Sequence, residues 1–472
     1  MAKPIRIILV ILILTAHLFF ALPLLALTAD EQKLLSSISG ENIKSTVQEL
    51  CSDRYAGRKA GSPGEALAAQ YIIDRFQNLQ LHSIAGSYTQ DFTMKTSLVK
   101  SVDDIKATLV YKAGVKDVRQ VFAYPEYYGR GGVDLKIQVV FVGGGVTDKS
   151  SGRDDYRGIN VKGKIAVWMA GNTNTSRPAS SISSRILNAY QHGAAGSLVV
   201  GLRDPISHKY GGYGLAGPIA DFPCLSILPE TAKLLFPGTW PQLAHNRKTQ
   251  NRLGATVSIK TAPVYNPAQP TQNVFSMLPG LDGGELILLG AHYDHLGANG
   301  PNKIFRGADD NASGAAVMLA VADAFAKSGL KPKYGIVFAA WAAEEVGLVG
   351  SNHFANSPPF ALNKLKAAVN VDMVGVGDVG KYKTAGSASC PLQYHALYDC
   401  ASELDFSIEK EEVRAASDHL AFSRKGIPSM LVHSAGEHPN MHTTRDCPEL
   451  IDPKILENTA KLVALTIWRL AK

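Results

Sequence analysis

Cysteine is scarce in this sequence and shows no regular spacing. Five cysteines among 472 residues are too few, and odd in number, for a disulfide scaffold. No two of them form a C-x-x-C pair, which argues against a cysteine-rich zinc site. Cys390 and Cys400 are close enough in sequence to bridge in an oxidising compartment, and buried free thiols are the alternative.

Long basic runs, nucleotide-binding glycine patterns and internal repeats are also missing. The net charge of +7 is small for this length, and the lysines and arginines are scattered without interleaved aromatic residues. This pattern predicts no nucleic-acid partner. The glycine-rich stretch Gly211-Gly212-Tyr213-Gly214 does not support G-x-G-x-x-G nucleotide binding.

The long apolar run of the sequence stands near its start. Lys3 and Arg6 precede residues 7–27, which are almost wholly apolar. A positive segment followed by an apolar one predicts a signal peptide over residues 1–29. The run is also about long enough to span a bilayer, so an uncleaved N-terminal membrane anchor is the alternative. Both predict export to the periplasm or the cell exterior, with this segment as the only membrane contact.

The remaining chain divides into three parts by its hydrophobic pattern. Residues 30–100 have helical spacing followed by one strand, and form the first part of the main domain. Residues 101–265 have short strands and turns, which indicates an inserted β-rich domain ending in a proline-rich linker over 263–270. Residues 266–472 alternate strands with helices, which predicts an α/β domain with a largely parallel sheet between helices.

Imidazole and carboxylate side chains follow the strands predicted in residues 266–472. Open α/β sheets place their sites at this carboxyl edge. The side chains are His292, Asp294, Glu344, Glu345, Asp372 and His442, with Asp310 just before a helix. Each has an ordinary explanation when taken alone, such as a helix cap for Asp310 or solvent exposure for the Glu pair. Together, so many carboxylates would repel one another unless divalent metal ions compensated their charge.

Two zinc ions fit these donors best. One is predicted to bind His292, Asp372 and one oxygen of Asp310, and the other His442, Glu345 and the second oxygen of Asp310. Ions bridged in this way can hold one hydroxide between them.

The two remaining carboxylates are predicted to assist the chemistry. Glu344 is left free to act as general base and to pass the proton to the leaving amine. Asp294, two residues after His292, is expected to hold the second ring nitrogen of that histidine.

The sequence resembles the co-catalytic di-zinc exopeptidases, a family that includes secreted bacterial leucyl aminopeptidases and glutamate carboxypeptidase. The matching segments are Gly290-Ala291-His292-Tyr293-Asp294-His295, Gly307-Ala308-Asp309-Asp310-Asn311-Ala312-Ser313-Gly314, Ala343-Glu344-Glu345-Val346-Gly347, Asn370-Val371-Asp372-Met373-Val374-Gly375, Ser417-Asp418-His419 and Met441-His442-Thr443-Thr444-Arg445-Asp446. The resemblance implies a three-layer α/β/α fold with a mixed, mostly parallel central sheet. It implies the same five zinc ligands, the same proton shuttle and the same supporting aspartate.

Two further segments extend the resemblance. The insert resembles a protease-associated domain at Asp155-Tyr156-Arg157-Gly158 and Val161-Lys162-Gly163-Lys164, and the loop beginning Gly57-Arg58-Lys59 is similar to the N-terminal loop of the family. The implied function is a zinc aminopeptidase acting on peptides with free N-termini. A carboxypeptidase or dipeptidase of the same family is the first alternative, and a non-catalytic receptor on this fold is the second.

The sequence departs from the family pattern just before Ser-Asp-His. Some members have a tyrosine there that assists the substrate carbonyl, whereas this chain has Arg414. We predict that Arg414 points into the cleft and contacts substrate, together with Ser417, Asp418 and His419. An exposed arginine without substrate contact is the alternative.

Overall fold

The computed structural model describes residues 27–98, 105–110, 124–125, 133–170, 182–201, 213–215, 222–227, 229–245, 252–261, 264–298, 303–386, 391–410 and 417–472. The predicted signal peptide or anchor therefore lies almost wholly outside the described residues. Within the described residues, no helix combines the length and the apolar character needed to cross a membrane.

Eleven α-helices occur in the described parts of the chain. They are α1 (Ala29–Ser36), α2 (Gly40–Leu50), α3 (Pro63–Asn78), α4 (Ile182–Gln191), α5 (Pro229–Leu235), α6 (Trp240–His245), α7 (Gly314–Ser328), α8 (Val349–Asn356), α9 (Pro391–Glu403), α10 (His419–Ser423) and α11 (Pro453–Leu470). Short polar side chains cap several of them: Thr28, Ser39, Ser62 and Asp452 each accept a hydrogen bond from a backbone N–H of the first turn.

Twenty strands occur in the same parts of the chain. They are β1 (Thr89–Leu98), β2 (Ile105–Val110), β3 (Tyr124–Pro125), β4 (Val133–Phe141), β5 (Thr147–Asp148), β6 (Arg153–Asp154), β7 (Ile165–Met169), β8 (Gly196–Val200), β9 (Tyr213–Leu215), β10 (Cys224–Ile227), β11 (Arg252–Thr261), β12 (Val264–Leu278), β13 (Leu286–His292), β14 (Gly297–Ala298), β15 (Ile304–Phe305), β16 (Gly335–Trp341), β17 (Leu365–Val371), β18 (Lys381–Gly386), β19 (Ser407–Lys410) and β20 (Ser429–Ser434).

A nine-stranded mixed sheet forms the centre of the main domain. Its strand order is β19-β18-β20-β17-β13-β16-β12-β1-β9. The four central strands β20, β17, β13 and β16 are parallel, whereas β12, β1 and β9 extend the sheet by antiparallel pairing. Strands β13 and β16 are buried at every position, which explains their continuous apolar sequence.

Helices cover both faces of this sheet. The larger apolar cluster packs α1, α2, α3, α7, α9 and α11 on one face, around residues such as Leu289, Phe338 and Val369. The smaller cluster packs α8 and α10 on the other face, around Trp341, Phe354 and Phe422. The arrangement is a three-layer α/β/α fold, as the sequence predicts.

A second sheet is built from the residues of the predicted insert. Its order is β2-β11-β4-β7-β8-β10-β3, with β4, β7, β8 and β10 parallel. One face packs against α5 and α6 around Phe141 and Trp240, and the other against α4 around Trp168 and Ile186. This sheet is separate from the nine-stranded sheet, although β9 of the insert pairs with β1 at the edge of the latter.

The predicted proline-rich linker over 263–270 is wrong for most of its length. Strand β12 begins at Val264 and pairs with β1 from Val264 to Val274. Pro267 falls where the register shifts, opposite the irregularity between Met94 and Thr96. A bulge tolerates a proline because its residue is outside the ladder of hydrogen bonds, so the proline does not end the strand.

Arg58, from the loop before α3, is buried with no exposed surface. Its guanidinium donates four hydrogen bonds to backbone oxygens, through Nε to Tyr293, Nη1 to Leu50 and Arg306, and Nη2 to Gly307, at 2.6 to 2.9 Å. The side chain thus ties the strand end after β13 to the segment that precedes α7. These two segments carry predicted metal ligands, so Arg58 fixes their separation.

Replacing Arg58 with Lys is expected to destabilise the fold. A lysine ammonium has three donors and no planar fork, so at least one buried carbonyl would lose its partner. Such a loss costs about 1–3 kcal/mol per group, and we expect the free energy of unfolding to fall by about 2–4 kcal/mol in urea denaturation. Arg54→Lys is the matched control, because the Arg54 side chain is 58% exposed. Equal stability of the two variants would contradict the structural role of Arg58.

Candidate metal centre

The pairing of the central strands brings the predicted ligands to one edge of the sheet. In parallel register, His292 pairs with Trp341 and Gly290 with Asn370. Glu344 and Asp372 follow these two partners by three and two residues, so they emerge beside His292. His442 comes from the loop between β20 and α11 and reaches the same edge. This is the carboxyl edge, where open α/β sheets place their sites.

Asp310 lies between two imidazoles. Its Oδ1 atom is 3.3 Å from Nε2 of His292, and its Oδ2 atom is 2.9 Å from Nε2 of His442. Its backbone is not helical, with φ of −108° and ψ of 91°, and the peptide bond from Asp310 to Asn311 is cis. Each oxygen of one carboxylate thus faces a different histidine, which is the arrangement that a bridging ligand requires.

Each imidazole also approaches a second carboxylate. Nε2 of His292 is 3.3 Å from Oδ1 of Asp372, and Nε2 of His442 is 3.1 Å from Oε2 of Glu345. The five predicted ligands are therefore neighbours, divided into the two sets that the sequence predicts. Imidazole and carboxylate donors at this spacing suit zinc. The binding of an ion to each set stays a prediction.

Two carboxyl groups of the centre, those of Glu344 and Asp310, have pKa values shifted in opposite directions. Burial raises the pKa of Glu344 well above its usual value, and the nearby Asp418, Glu345 and Asp372 add to the rise. Burial also acts to raise the pKa of Asp310, but contacts with His292 and His442 outweigh it and hold that pKa well below the usual range. Carboxyl groups with opposite shifts can divide the work between proton transfer and charge stabilisation.

Asp294 contacts His292 and the backbone of the Glu344–Glu345 pair. It is fully buried, and its two carboxylate oxygens accept hydrogen bonds from the backbone N–H groups of Glu344 and Glu345 at 3.0 and 3.4 Å. Nδ1 of His292 lies 3.6 Å from Oδ1 of Asp294 and 3.2 Å from its backbone oxygen. Asp294 therefore contacts the second ring nitrogen of His292 and also positions the Glu pair, which the sequence did not indicate.

Asp446 is a supporting residue that the sequence did not predict. Its two oxygens accept hydrogen bonds from the backbone N–H groups of Asp309 and Asp310, at 2.8 and 3.1 Å. Burial raises its pKa to about 6. The residue closes the motif that begins at Met441, and this position four residues after His442 was the available signal.

A second aspartate–histidine pair stands beside the metal ligands. Nδ1 of His438 is 2.5 Å from Oδ2 of Asp309, while Oδ1 of Asp309 accepts hydrogen bonds from the backbone of Gly375 and Val376. Asp309 therefore binds protein groups, and it is not part of either predicted ligand set. The pair also ties the loop of His442 to the segment of Asp310.

Left-handed backbone conformations flank the ligands. Ala343, Met373 and His442 have φ of 57°, 55° and 59°. Such values are uncommon for residues other than glycine and persist where surrounding structure imposes them. Ala343 and Met373 change the direction of the chain directly after β16 and β17. The adjacent Glu344 and Asp372 therefore face the centre.

The predicted substrate contacts have two different outcomes. Arg414 lies outside the described residues. Ser417, Asp418 and His419 are at most 1% exposed, and the hydroxyl of Ser417 donates a hydrogen bond to Oδ2 of Asp372 at 2.6 Å while accepting one from Asn370. Substrate contact by these three stays a prediction, and the geometry favours a role for Ser417 in orienting Asp372.

Replacing Ser417 with Ala is therefore expected to weaken metal binding at the position of His292 and Asp372. Loss of a hydrogen bond that orients a metal ligand typically lowers metal affinity by about 10–100-fold. Zinc titration against a competing chromogenic chelator measures the change. Ser407→Ala in the exposed strand β19 serves as the control, and unchanged affinity in Ser417→Ala would rule out this role.

The structure describes one of the two cysteines that could bridge, Cys400. Cys400 is a buried free thiol, and burial raises its pKa to about 11. Cys390 lies outside the described residues.

Comparison with known proteins identifies the main domain. Residues 273–467 match the model of peptidase family M28. The matched part runs from β12 to α11, and it is similar to peptidase family M28. The family predicted from the motifs is thereby confirmed. The match contains the five predicted metal ligands, Glu344 and Asp294.

Curated relatives of the M28 part carry peptidase names. Leupeptin-inactivating enzyme 1 of Streptomyces exfoliatus is 27% identical over 219 residues, which are 42% of this chain and 48% of that protein. A probable leucine aminopeptidase of Arthroderma benhamiae is 28% identical over 207 residues, 57% of its length. These matches span about half the length of each relative. An aminopeptidase of Pseudomonas aeruginosa is 29% identical over 403 residues, which are 76% of this chain and 69% of that protein.

Solved structures share the fold over nearly the whole chain. An aminopeptidase from Aneurinibacillus sp. strain AM-1 has a TM-score of 0.70 at 22% identity, covering 94% of this chain and 96% of that one. A zinc aminopeptidase from Bacillus subtilis has a TM-score of 0.67 at 20% identity, covering 92% and 96%. The predicted α/β fold class is confirmed.

Proposed function

We propose that this chain is a zinc-dependent exopeptidase that removes residues from the free N-termini of peptides. The observation that carries the proposal is the position of Asp310, whose two oxygens face two separate imidazole–carboxylate pairs. Glu344 stands beside them with a raised pKa and is not needed as a ligand by either pair. The match of residues 273–467 to peptidase family M28 and the aminopeptidase names of the relatives support the same conclusion.

The donor set fits two zinc ions. His292 and Asp372 would hold one ion, His442 and Glu345 the other, and Asp310 both. When bound, such ions polarise the scissile carbonyl and lower the pKa of water at the site. Two divalent charges would also compensate the buried carboxylates, whose mutual repulsion otherwise opposes their clustering.

Glu344 would perform the proton transfers. Burial favours its protonated form, so its carboxylate readily accepts a proton from the attacking water and donates it to the leaving amine. Asp294 fixes the backbone of Glu344 through the hydrogen bond to its N–H group. This hydrogen bond fixes the backbone of the proton carrier three residues after β16, which favours transfer over a short, constant distance.

The relatives favour an aminopeptidase over the carboxypeptidase alternative. An aminopeptidase of Pseudomonas aeruginosa is similar over 76% of this chain, and probable leucine aminopeptidases are similar over shorter stretches.

We further propose that the protein is exported and that residues 101–265 form a protease-associated domain. The apolar run over 7–27 supports export, whether it is removed or retained as an anchor. The separate seven-stranded sheet supports an inserted unit with its own apolar clusters.

A panel of peptides tests the function. Unblocked peptides and peptides amidated at the C-terminus should be hydrolysed, whereas N-acetylated peptides should resist. Addition of a chelator should abolish hydrolysis, and zinc should restore it. Cleavage of N-acetylated peptides with resistance of C-amidated ones would instead indicate a carboxypeptidase, and binding without hydrolysis would indicate a receptor.

A further inference from the structure

His295 lies beside the predicted metal positions but has no part in the two ligand sets. It is 1% exposed, and its Nδ1 atom is 2.7 Å from Oε1 of Glu345. The other oxygen of Glu345, Oε2, is 3.1 Å from Nε2 of His442. One donor atom each from His295, Asp310 and Glu345 lie within 4.8 Å of one another. His295 therefore faces the same two carboxylates as His442.

The nitrogens of His295 lack hydrogen-bond partners. Although Nδ1 is close to Glu345, the contact is not aligned as a hydrogen bond, and neither ring nitrogen has a hydrogen-bond partner among the described residues. A buried polar group left in this state costs about 1–3 kcal/mol. Nδ1 of His295 and Oε1 of Glu345 each have a lone pair. A cation bound to both atoms would accept these lone pairs in place of a hydrogen bond.

The ring of His295 is fixed in this orientation. Its backbone N–H donates to the backbone oxygen of Arg58 at 3.1 Å. Gly307, with φ of 55°, packs so tightly against the ring that an added Cβ would lie 2.4 Å from Cγ of His295. Glycine is required at this position by both its conformation and the close approach. The ring is thus held against the carboxylates and cannot turn to solvent without displacing the loop.

We propose that His295 is a ligand of the metal position formed by Asp310, Glu345 and His442. This inference rests on the two-metal site of the proposed function. It would give that position four protein donors, two imidazoles and two carboxylates, and a water would be a fifth, a coordination number that catalytic zinc can reach. The position of His292 and Asp372, with Asp310, would have three protein donors. The two positions then differ in affinity, and the one with two imidazoles retains its ion longer against a chelator.

Metal titration of the full chain tests this assignment. The protein is stripped with a chelator and titrated with Zn²⁺ against a chromogenic competitor, and with Co²⁺ while its visible absorption is recorded. The parent should bind two equivalents with unequal affinity. In His295→Ala the tighter equivalent should weaken by at least about 10-fold, the other should be unchanged, and the Co²⁺ spectrum should change, because one nitrogen donor is lost.

Two further variants separate ligation from other roles. His295→Phe keeps a planar ring against Gly307 and offers no nitrogen, so it should repeat the result of Ala even where Ala perturbs folding. His295→Asn offers an N–H to Glu345, so full recovery of affinity by Asn would overturn ligation in favour of a hydrogen bond to Glu345. His395→Ala, on the exposed side of α9, is the control. Circular dichroism of the metal-free proteins checks that each variant is folded.

The metal titrations give different results if His295 is not a ligand and if the proposed two-zinc site is absent. Two equivalents in the parent with identical affinities and spectra in His295→Phe would overturn the role of His295 alone. Fewer than two equivalents in the parent would contradict the proposed two-zinc site itself.

Discussion

Replacing Glu344 with Gln should abolish most peptide hydrolysis while leaving the metal content unchanged. The amide cannot accept a proton from water, yet it has nearly the same size, and neither of the two ligand sets contains Glu344. Removal of a general base typically lowers turnover by about 10²–10⁴-fold, and we expect a fall in kcat within this range with little change in KM. Steady-state kinetics on an unblocked peptide, together with metal analysis of the same sample, measure both quantities.

The control for Glu344 is Glu409→Gln in β19, where the side chain is exposed. It should retain the kinetics of the parent. Glu345→Gln provides a contrast, because it alters a predicted ligand and should lower the metal content. Near-normal turnover in Glu344→Gln would remove Glu344 from the mechanism. Loss of metal in the same variant would show that Glu344 is a ligand, as its proximity to His292 and Asp372 allows.

Replacing Asp310 with Asn should disable the whole metal centre. Only one oxygen would remain, and the amide nitrogen that replaces the other is not a metal donor. The variant could therefore contribute a ligand to one of the two predicted ions, but it could not bridge both. We expect the metal content to fall from two equivalents to one or none, and kcat/KM to fall by about 10³-fold or more, the scale of losing a main electrostatic stabiliser of the transition state.

Asp399→Asn on α9 is the matched control for Asp310, because the same change is made on an exposed side chain. Both variants should be folded without metal, as judged by circular dichroism. Two tightly bound equivalents in Asp310→Asn would contradict the bridge. Excess zinc in the assay tests whether Asp310→Asn is inactive only because its metal positions are empty. Activity that stays low at saturating zinc would show that the arrangement of the ligands is altered as well.

The sequence predicted the main domain closely because each of its elements carries a local signal. The residue pattern predicts helices over 391–404 and 453–470, and the structure has α9 at Pro391–Glu403 and α11 at Pro453–Leu470. Proline in the first turn and an aspartate cap mark the start of α11. The first half of β12 was missed because its prolines resemble those of a linker. Only its pairing with β1, which is a tertiary property, makes it a strand.

The same difference between local signals and tertiary contacts decides which residues of the metal centre could be predicted. Residues directly after parallel strands could be placed at one edge because topology alone brings them there. Asp446, Ser417 and His295 could not be assigned in this way, because their partners are fixed by loop conformations. Asp446 reaches backbone N–H groups 136 and 137 residues away in sequence, and His295 needs the close approach of Gly307. Hydrogen bonds over such separations leave no periodic signal.

The edge strand β9 makes a segment of the predicted insert part of the nine-stranded sheet. Tyr213–Leu215 pairs with Thr96–Leu98, so a segment of the insert closes the ninth position of a sheet that otherwise belongs to the M28 part and its N-terminal extension. Excising the insert would expose the backbone groups of β1 that β9 now pairs. Such an open edge is a template for strand addition between molecules. A version of the chain without residues 101–265 would therefore be expected to associate through this edge.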